Sequence, residues 1–268
     1  MFRTLKLETK NSIATVTLNR PEARNAMSAK LMREMIACAG WLAARRDVDV
    51  AIVRGSGKWF SAGADLRDAS RWGNGELPFD QQREIASLGY RMARAWEELP
   101  QITIAAVEGY AIGGGLALVA ALDWRVIAED AFVSLPEIAL GIPLTWGTLP
   151  RLVNLVGPAR AKRLSILCER IQAPEALAMG LVDYLAPPGK ALQTARTVAK
   201  QVLALPRNSV RMSKESVNAY AGIGAHAASH MAHDQVQLSA ASPEARAARE
   251  SFAARRKKAA SPARSRER

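Results

Sequence analysis

Two glycine-bearing segments hold the residues best suited to chemistry. One is Phe60-Ser61-Ala62-Gly63-Ala64-Asp65, and the other is Gly109-Tyr110-Ala111-Ile112-Gly113-Gly114-Gly115-Leu116-Ala117. Three consecutive glycines leave the backbone bare, so a ligand can approach the amides closely. The apolar residues Leu116 to Leu122 read as the start of a buried helix, whose free N–H groups and positive dipole end favour an anion. Two amides from two separate strand-to-helix junctions could form a pocket for one developing oxyanion. That combination points to an enzyme working on a carbonyl, with a thioester the leading case. Other uses of a glycine run fit less well. No Lys-Ser or Lys-Thr follows Gly115, so a P-loop is excluded, and the spacing does not match a dinucleotide fingerprint.

The elements that must position these segments follow from periodicity. Ile13 to Leu18 alternates and reads as a strand, Pro21 to Asn25 as a turn. A helix is expected from about Ser28, with Met32, Met35 and Ile36 on its apolar face. Val48 to Val53 is a buried strand. Residues 66–82 are polar and read as a loop. A helix is expected over Gln82 to Leu99, stopping before Pro100, then a strand over Ile102 to Val107. Short strands are expected at Trp124 to Ile127 and at Phe132-Val133. Helices are expected from about Gly147, from about Ala159, and over Pro174 to Gly180. This alternation means an α/β protein. Beyond Pro206 the pattern becomes Ala-rich and helical, without a strand candidate. The expected division is a core over 1–205, a helical C-terminal region over 206–254, and a basic, disordered tail over 255–268.

The chain has 268 residues, 49% of them hydrophobic, enough for one large core. No apolar run approaches the length that spans a bilayer. The N-terminus turns polar too early for a secretory signal. The thiols, Cys38 and Cys168, have no paired spacing. Reduced thiols and a cytoplasmic location are the expectation. The net charge is +12, of which about +7 lies in residues 246–268. A mildly basic body suits a polyphosphate-bearing ligand. Nothing in the motifs supports nucleic-acid binding.

Several further segments carry a family resemblance. They include Leu18-Asn19-Arg20-Pro21-Glu22-Ala23-Arg24-Asn25-Ala26, Asp123-Trp124-Arg125, and Leu135-Pro136-Glu137-Ile138-Ala139-Leu140-Gly141. Gly157-Pro158-Ala159-Arg160-Ala161 and Ala178-Met179-Gly180-Leu181-Val182 extend the series. With the two glycine segments, in this order and spacing, the chain resembles the crotonase, or enoyl-CoA hydratase/isomerase, family over about residues 5–250. The resemblance implies a spiral of ββα turns with a helical C-terminal trimerisation region. It implies homotrimers, often paired into homohexamers, acting on acyl-CoA thioesters. It places the oxyanion amides on Ala64 and Gly114, beside Ala62, Gly63 and Gly113. No metal or redox cofactor is implied, and coenzyme A belongs to the substrate.

Glu137 matches the family's acid/base glutamate, and apolar surroundings would raise its pKa toward the working pH. Ala117 is a departure. Two-glutamate hydratases place a carboxylate three residues after the oxyanion glycine, where it helps orient water, and alanine cannot do so. One glutamate suffices to move a proton between two carbons, so double-bond isomerisation is favoured over hydration. A non-catalytic acyl-CoA binder is the alternative. Trp146 stands where hydratases usually have small residues, and would narrow the acyl pocket or serve as a core residue. Arg24 sits where a basic residue often meets the CoA phosphates. Thr145 and Asp65 read as helix caps. His226, His230 and His233 share one helix face, and a subunit contact or solvated face outweighs a metal site there.

Overall fold

The computed structural model describes residues 2–72, 77–225, 235, 238, 239 and 241–260. A six-stranded sheet runs in the order β1 (Leu5–Lys10), β2 (Ile13–Leu18), β3 (Val50–Gly55), β4 (Ile102–Val107), β6 (Trp124–Ala128) and β9 (Tyr184–Ala186). β1 and β2 are antiparallel, and every later pair is parallel. A second sheet joins β5 (Tyr110–Ile112), β7 (Phe132–Ser134) and β8 (Arg170–Gln172). The pairs β4–β5 and β6–β7 are each followed by a helix, which gives the strand–strand–helix turns that the resemblance implies.

The parallel strands are largely apolar because both their faces are covered. Ala51, Val53, Ala105 and Val107 face the main core. Val50, Ile52, Ile102, Ile104 and Ala106 face the other way, against Ala195, Val198, Ala199 and Val202 of α7 (Ala191–Leu203). Successive strand residues point to opposite faces, so one run feeds two cores.

On the main-core side lie α1 (Ala29–Ala43), α3 (Phe79–Glu97), α4 (Gly114–Ala121) and α5 (Thr148–Ile166). Ser28 caps α1, its hydroxyl accepting from the Leu31 amide at 3.2 Å. Leu31, Met32, Met35, Ala39 and Leu42 form its buried stripe. Trp96 of α3 is fully buried and donates its indole N–H to the Met35 carbonyl at 3.1 Å. All eight residues of α4 are buried. Gly157, at φ 76°, breaks α5 into the two expected helical pieces.

The expected loop over 66–82 is shorter than its composition suggested. It contains α2 (Ala69–Trp72), and α3 begins at Phe79 rather than Gln82. Asp68 explains the first difference, because its Oδ1 accepts from both the amide and the hydroxyl of Ser70. Pro78 stands just ahead of α3, a position where its missing N–H costs nothing.

α6 (Ala173–Ala178) precedes β9, and the C-terminal region contains α8 (Arg207–Ala221) and α9 (Pro243–Ala260). The helix α9 thus takes in residues 255–260, while 261–268, His226, His230 and His233 lie outside the described residues. Lys214 pins α8 to the sheet, its ammonium buried on the Gln101 carbonyl at 2.8 Å and on Asp123 at 2.6 Å. Among the described residues no helix is long and apolar enough to cross a membrane.

Candidate active site

The two glycine segments lie side by side. Ser61 and Ala111 form a parallel bridge, with the Ser61 amide donating to Tyr110 and the Ile112 amide to Ser61. The Cβ that Gly63 lacks would fall 3.3 Å from the Gly114 nitrogen, so the turns touch at their glycines. Both glycines before the two amides have positive φ, 85° at Gly63 and 53° at Gly113, a conformation that favours glycine.

Each turn presents one amide. Met27 bridges the two neighbours of Ala64, donating to the Gly63 carbonyl at 2.7 Å and accepting from the Asp65 amide at 3.1 Å. In a parallel bridge the residue between those two bonds turns its own N–H the other way. Gly114 opens α4, and the first amides of a helix have no acceptor within it. The Gly113 amide, by contrast, is already committed to the Ser134 carbonyl at 2.9 Å.

Side chains hold the first turn. Asn25, fully buried at φ 54°, donates its amide group to the Ser56 and Trp59 carbonyls at 2.9 and 3.0 Å. Its Oδ1 accepts from the Arg20 amide and the Ser56 hydroxyl. Ser61 donates to the Asn25 carbonyl and accepts from the Gly63 amide. Asp65 pairs with Arg20 at 2.8 Å and accepts from the Arg67 amide. Asp65 therefore anchors the turn. The expected helix cap is Asp68, which also accepts from the Ala29 amide at the start of α1. The motif at 18–26 contains Arg20 and Asn25 but does not reveal their bonding role. An asparagine in a turn after proline, a place suited to left-handed backbone, was the available signal.

Packing holds the second turn. A Cβ on Gly113 would fall 2.6 Å from Glu137 Oε1, and one on Gly114 would fall 2.2 Å from the six-membered ring of Trp146. A carboxyl and an indole thus lie on adjacent glycines. Glu137 begins the short 3-10 turn Ile138–Leu140, and its carbonyl accepts from Leu140 and Ile142. Its Oε2 is buried with no hydrogen-bond partner among the described residues. Burial pushes this carboxyl from an ordinary 4.5 up to about 7, against a smaller opposing pull from its own amide. A carboxyl with that value can both take and return a proton near neutrality.

Trp146 is 7% exposed and has φ 61°. Its ring also covers Gly89 in mid-α3, where a Cβ would lie 2.0 Å from the indole. Arg151 donates to the Trp146 and Gly147 carbonyls at 2.9 and 3.0 Å, and makes a two-point contact with Glu97. Thr145 is not a side-chain cap. Its carbonyl accepts from the Thr148 amide and hydroxyl, and Gly147 takes the N-cap position. Ala117 is 3% exposed, one helical turn beyond Gly113 and Gly114.

Arg24 lies at the rim. Its carbonyl accepts from the Ala62 amide at 3.0 Å, and its guanidinium sits 5.6 Å from the Trp59 ring. Its charge also lowers the Tyr110 pKa, which burial, the larger influence, raises. Among the described residues no group of three or more His, Cys, Asp or Glu could hold a metal ion. A cavity of about 430 Å³ lies away from the glycine turns, between α3, α5 and α8.

The chain is similar to known proteins along most of its length. The family model for enoyl-CoA hydratase/isomerase matches residues 8–260. A short-chain-enoyl-CoA hydratase of Clostridium acetobutylicum is 34% identical over 213 residues, 79% of this chain and 80% of that one. A crotonyl-CoA hydratase of Syntrophomonas wolfei is also 34% identical, over 81% of this chain and 82% of its own. A crystal structure of an enoyl-CoA hydratase/isomerase from Xanthobacter autotrophicus superposes with a TM-score of 0.85 at 28% identity, covering 98% of this chain and all of that one, 100%. Paired glycine turns, a crotonase fold and a match along nearly the whole length agree, and the chain belongs to the enoyl-CoA hydratase/isomerase family.

Proposed function

We propose that this protein moves a proton between two carbons of an enoyl-CoA thioester through a single carboxyl group, Glu137. The observation that carries the reading is the position of that carboxyl on Gly113, one residue from the Gly114 amide, with its pKa raised to about 7. Glu137 as carboxylate takes a proton from the carbon next to the thioester carbonyl. The carbonyl oxygen gains the charge and is held by the Ala64 and Gly114 amides. The same carboxyl then returns the proton two carbons further on, which converts a 3-enoyl into a 2-enoyl thioester. Ala62 and Gly63 line the approach to the first amide, and Arg24 supplies a rim cation for the CoA phosphates. The thioester and the amides supply the acidity, so no metal or redox cofactor enters the steps.

Trp146 and Ala117 favour this over hydration. Helical side chains lean toward the N-terminus, so a longer side chain at 117 would reach over Gly114. The benzo edge of Trp146 lies there instead. An indole cannot position an attacking water as a second carboxylate would. The names of the relatives favour the second reading, hydration of a 2-enoyl-CoA. Absorbance of the conjugated thioester separates the two. Isomerisation raises it when a 3-enoyl-CoA is offered, and hydration lowers it when a trans-2-enoyl-CoA is offered. Glu137→Gln should lose turnover by a factor of about 10² to 10⁴ while still binding CoA esters. Undiminished turnover would exclude Glu137 from the chemistry. Flat traces with both substrates, and no exchange of the α-proton, would leave a binder.

The exposed Met212, Val217 and Tyr220 of α8 support assembly into a homotrimer or homohexamer. A monomer mass by light scattering would contradict it.

A further inference from the structure

We propose that Trp146 is a wall standing over the catalytic turn between α3 and α4, and that it restricts this protein to short acyl chains. The inference rests on the acyl-CoA reading above and adds its substrate class.

The indole spans the gap between two helices. Its benzo edge meets Gly114 at the head of α4, and its pyrrole side meets Gly89 of α3. The ring therefore fills the space over the glycine turn, between the head of α4 and the middle of α3.

The wall is built at a conformational cost. A bulky residue at φ 61° is held there only where its surroundings determine it. A glycine in mid-α3 weakens the helix relative to alanine, and here any Cβ would collide with the ring. Arg151, clamping two carbonyls of the turn and Glu97 together, fixes the ring's approach.

The test is affinity for a saturated acyl-CoA series, measured by calorimetry, which does not depend on turnover. The wild type should bind butyryl-CoA in preference to octanoyl-CoA. Each methylene newly buried should tighten binding about fourfold. Trp146→Ala should therefore raise octanoyl-CoA affinity at least tenfold and reverse the preference, with Trp146→Leu giving a smaller shift should the alanine variant fail to fold. An unchanged octanoyl-to-butyryl ratio in both Trp146 variants would overturn the wall and leave the enolate reading standing. Failure of every acyl-CoA to bind the wild type would overturn both readings.

Discussion

The two glycine turns present the same thing, one outward amide, and are held by opposite means. The turn at 61–65 hangs on hydrogen bonds from Asn25, Ser61, Arg20 and Asp65. The turn at 113–117 backs onto an entirely buried helix and is shaped by what presses on it, Glu137 and Trp146. A bonded turn fails when a donor is removed. A packed turn fails when an atom is added. Chemistry at the second turn can thus be retuned by changing what lies on it, without disturbing the first.

The largest expected effect comes from adding one methyl group to the packed turn. Gly113→Ala puts a Cβ against Glu137 Oε1 at φ 53°, so the carboxyl and the turn must both shift. Exchange of the α-proton of bound butyryl-CoA should fall by about 10³ or more, from loss of an oxyanion donor's geometry together with the acid/base. Exchange within tenfold of wild type would show that the second turn tolerates bulk and would dissolve the contrast.

Asn25→Ala addresses the bonded turn and should act on stability first. It leaves the Ser56 and Trp59 carbonyls without their donor and the Arg20 amide without its acceptor. A loss of about 3 kcal/mol in urea unfolding is expected. A loss under about 1 kcal/mol would mean that packing holds this turn as well.

The smallest effect sharpens the contrast through pH, because Glu137 titrates on the packed turn. Its folded value of about 7 lies above the ordinary 4.5, so burial favours the neutral form. The associated stability is full below about 4.5 and is lost as pH rises through about 7. Glu137→Gln should remove that loss, gaining up to about 3 kcal/mol on wild type between pH 5 and pH 8. Proton abstraction in the wild type should show a rising limb with a midpoint near 7, absent from the variant. Parallel pH profiles of stability would place the carboxyl in water.

The sequence made the packed turn far more legible than the bonded one. Glycine runs and an apolar helix are local signals, so Gly113, Gly114 and α4 could be read directly. Strand alternation likewise placed β2, β3 and β4. The Asn25 contacts join residues 31 and 34 positions apart, and no local pattern encodes them. For the same reason Asp65 was read as a helix cap, the role that Asp68 takes. Gly89 gave no signal at all, since a lone glycine in a helical run acquires meaning only from the ring 57 residues away that rests on it.

One contact ties the far end of the chain to the acid. Ala245 of α9 is 3% exposed and packs on Gly141, four residues after Glu137, where any Cβ would fall 2.4 Å from the Ala245 Cα. Ser239 donates to the Gly141 carbonyl at 3.1 Å. Both glycine turns are synthesised well before this support. During translation the loop carrying Glu137 therefore gains this backing only after Ala245 has emerged, long after the turns at 61–65 and 113–117.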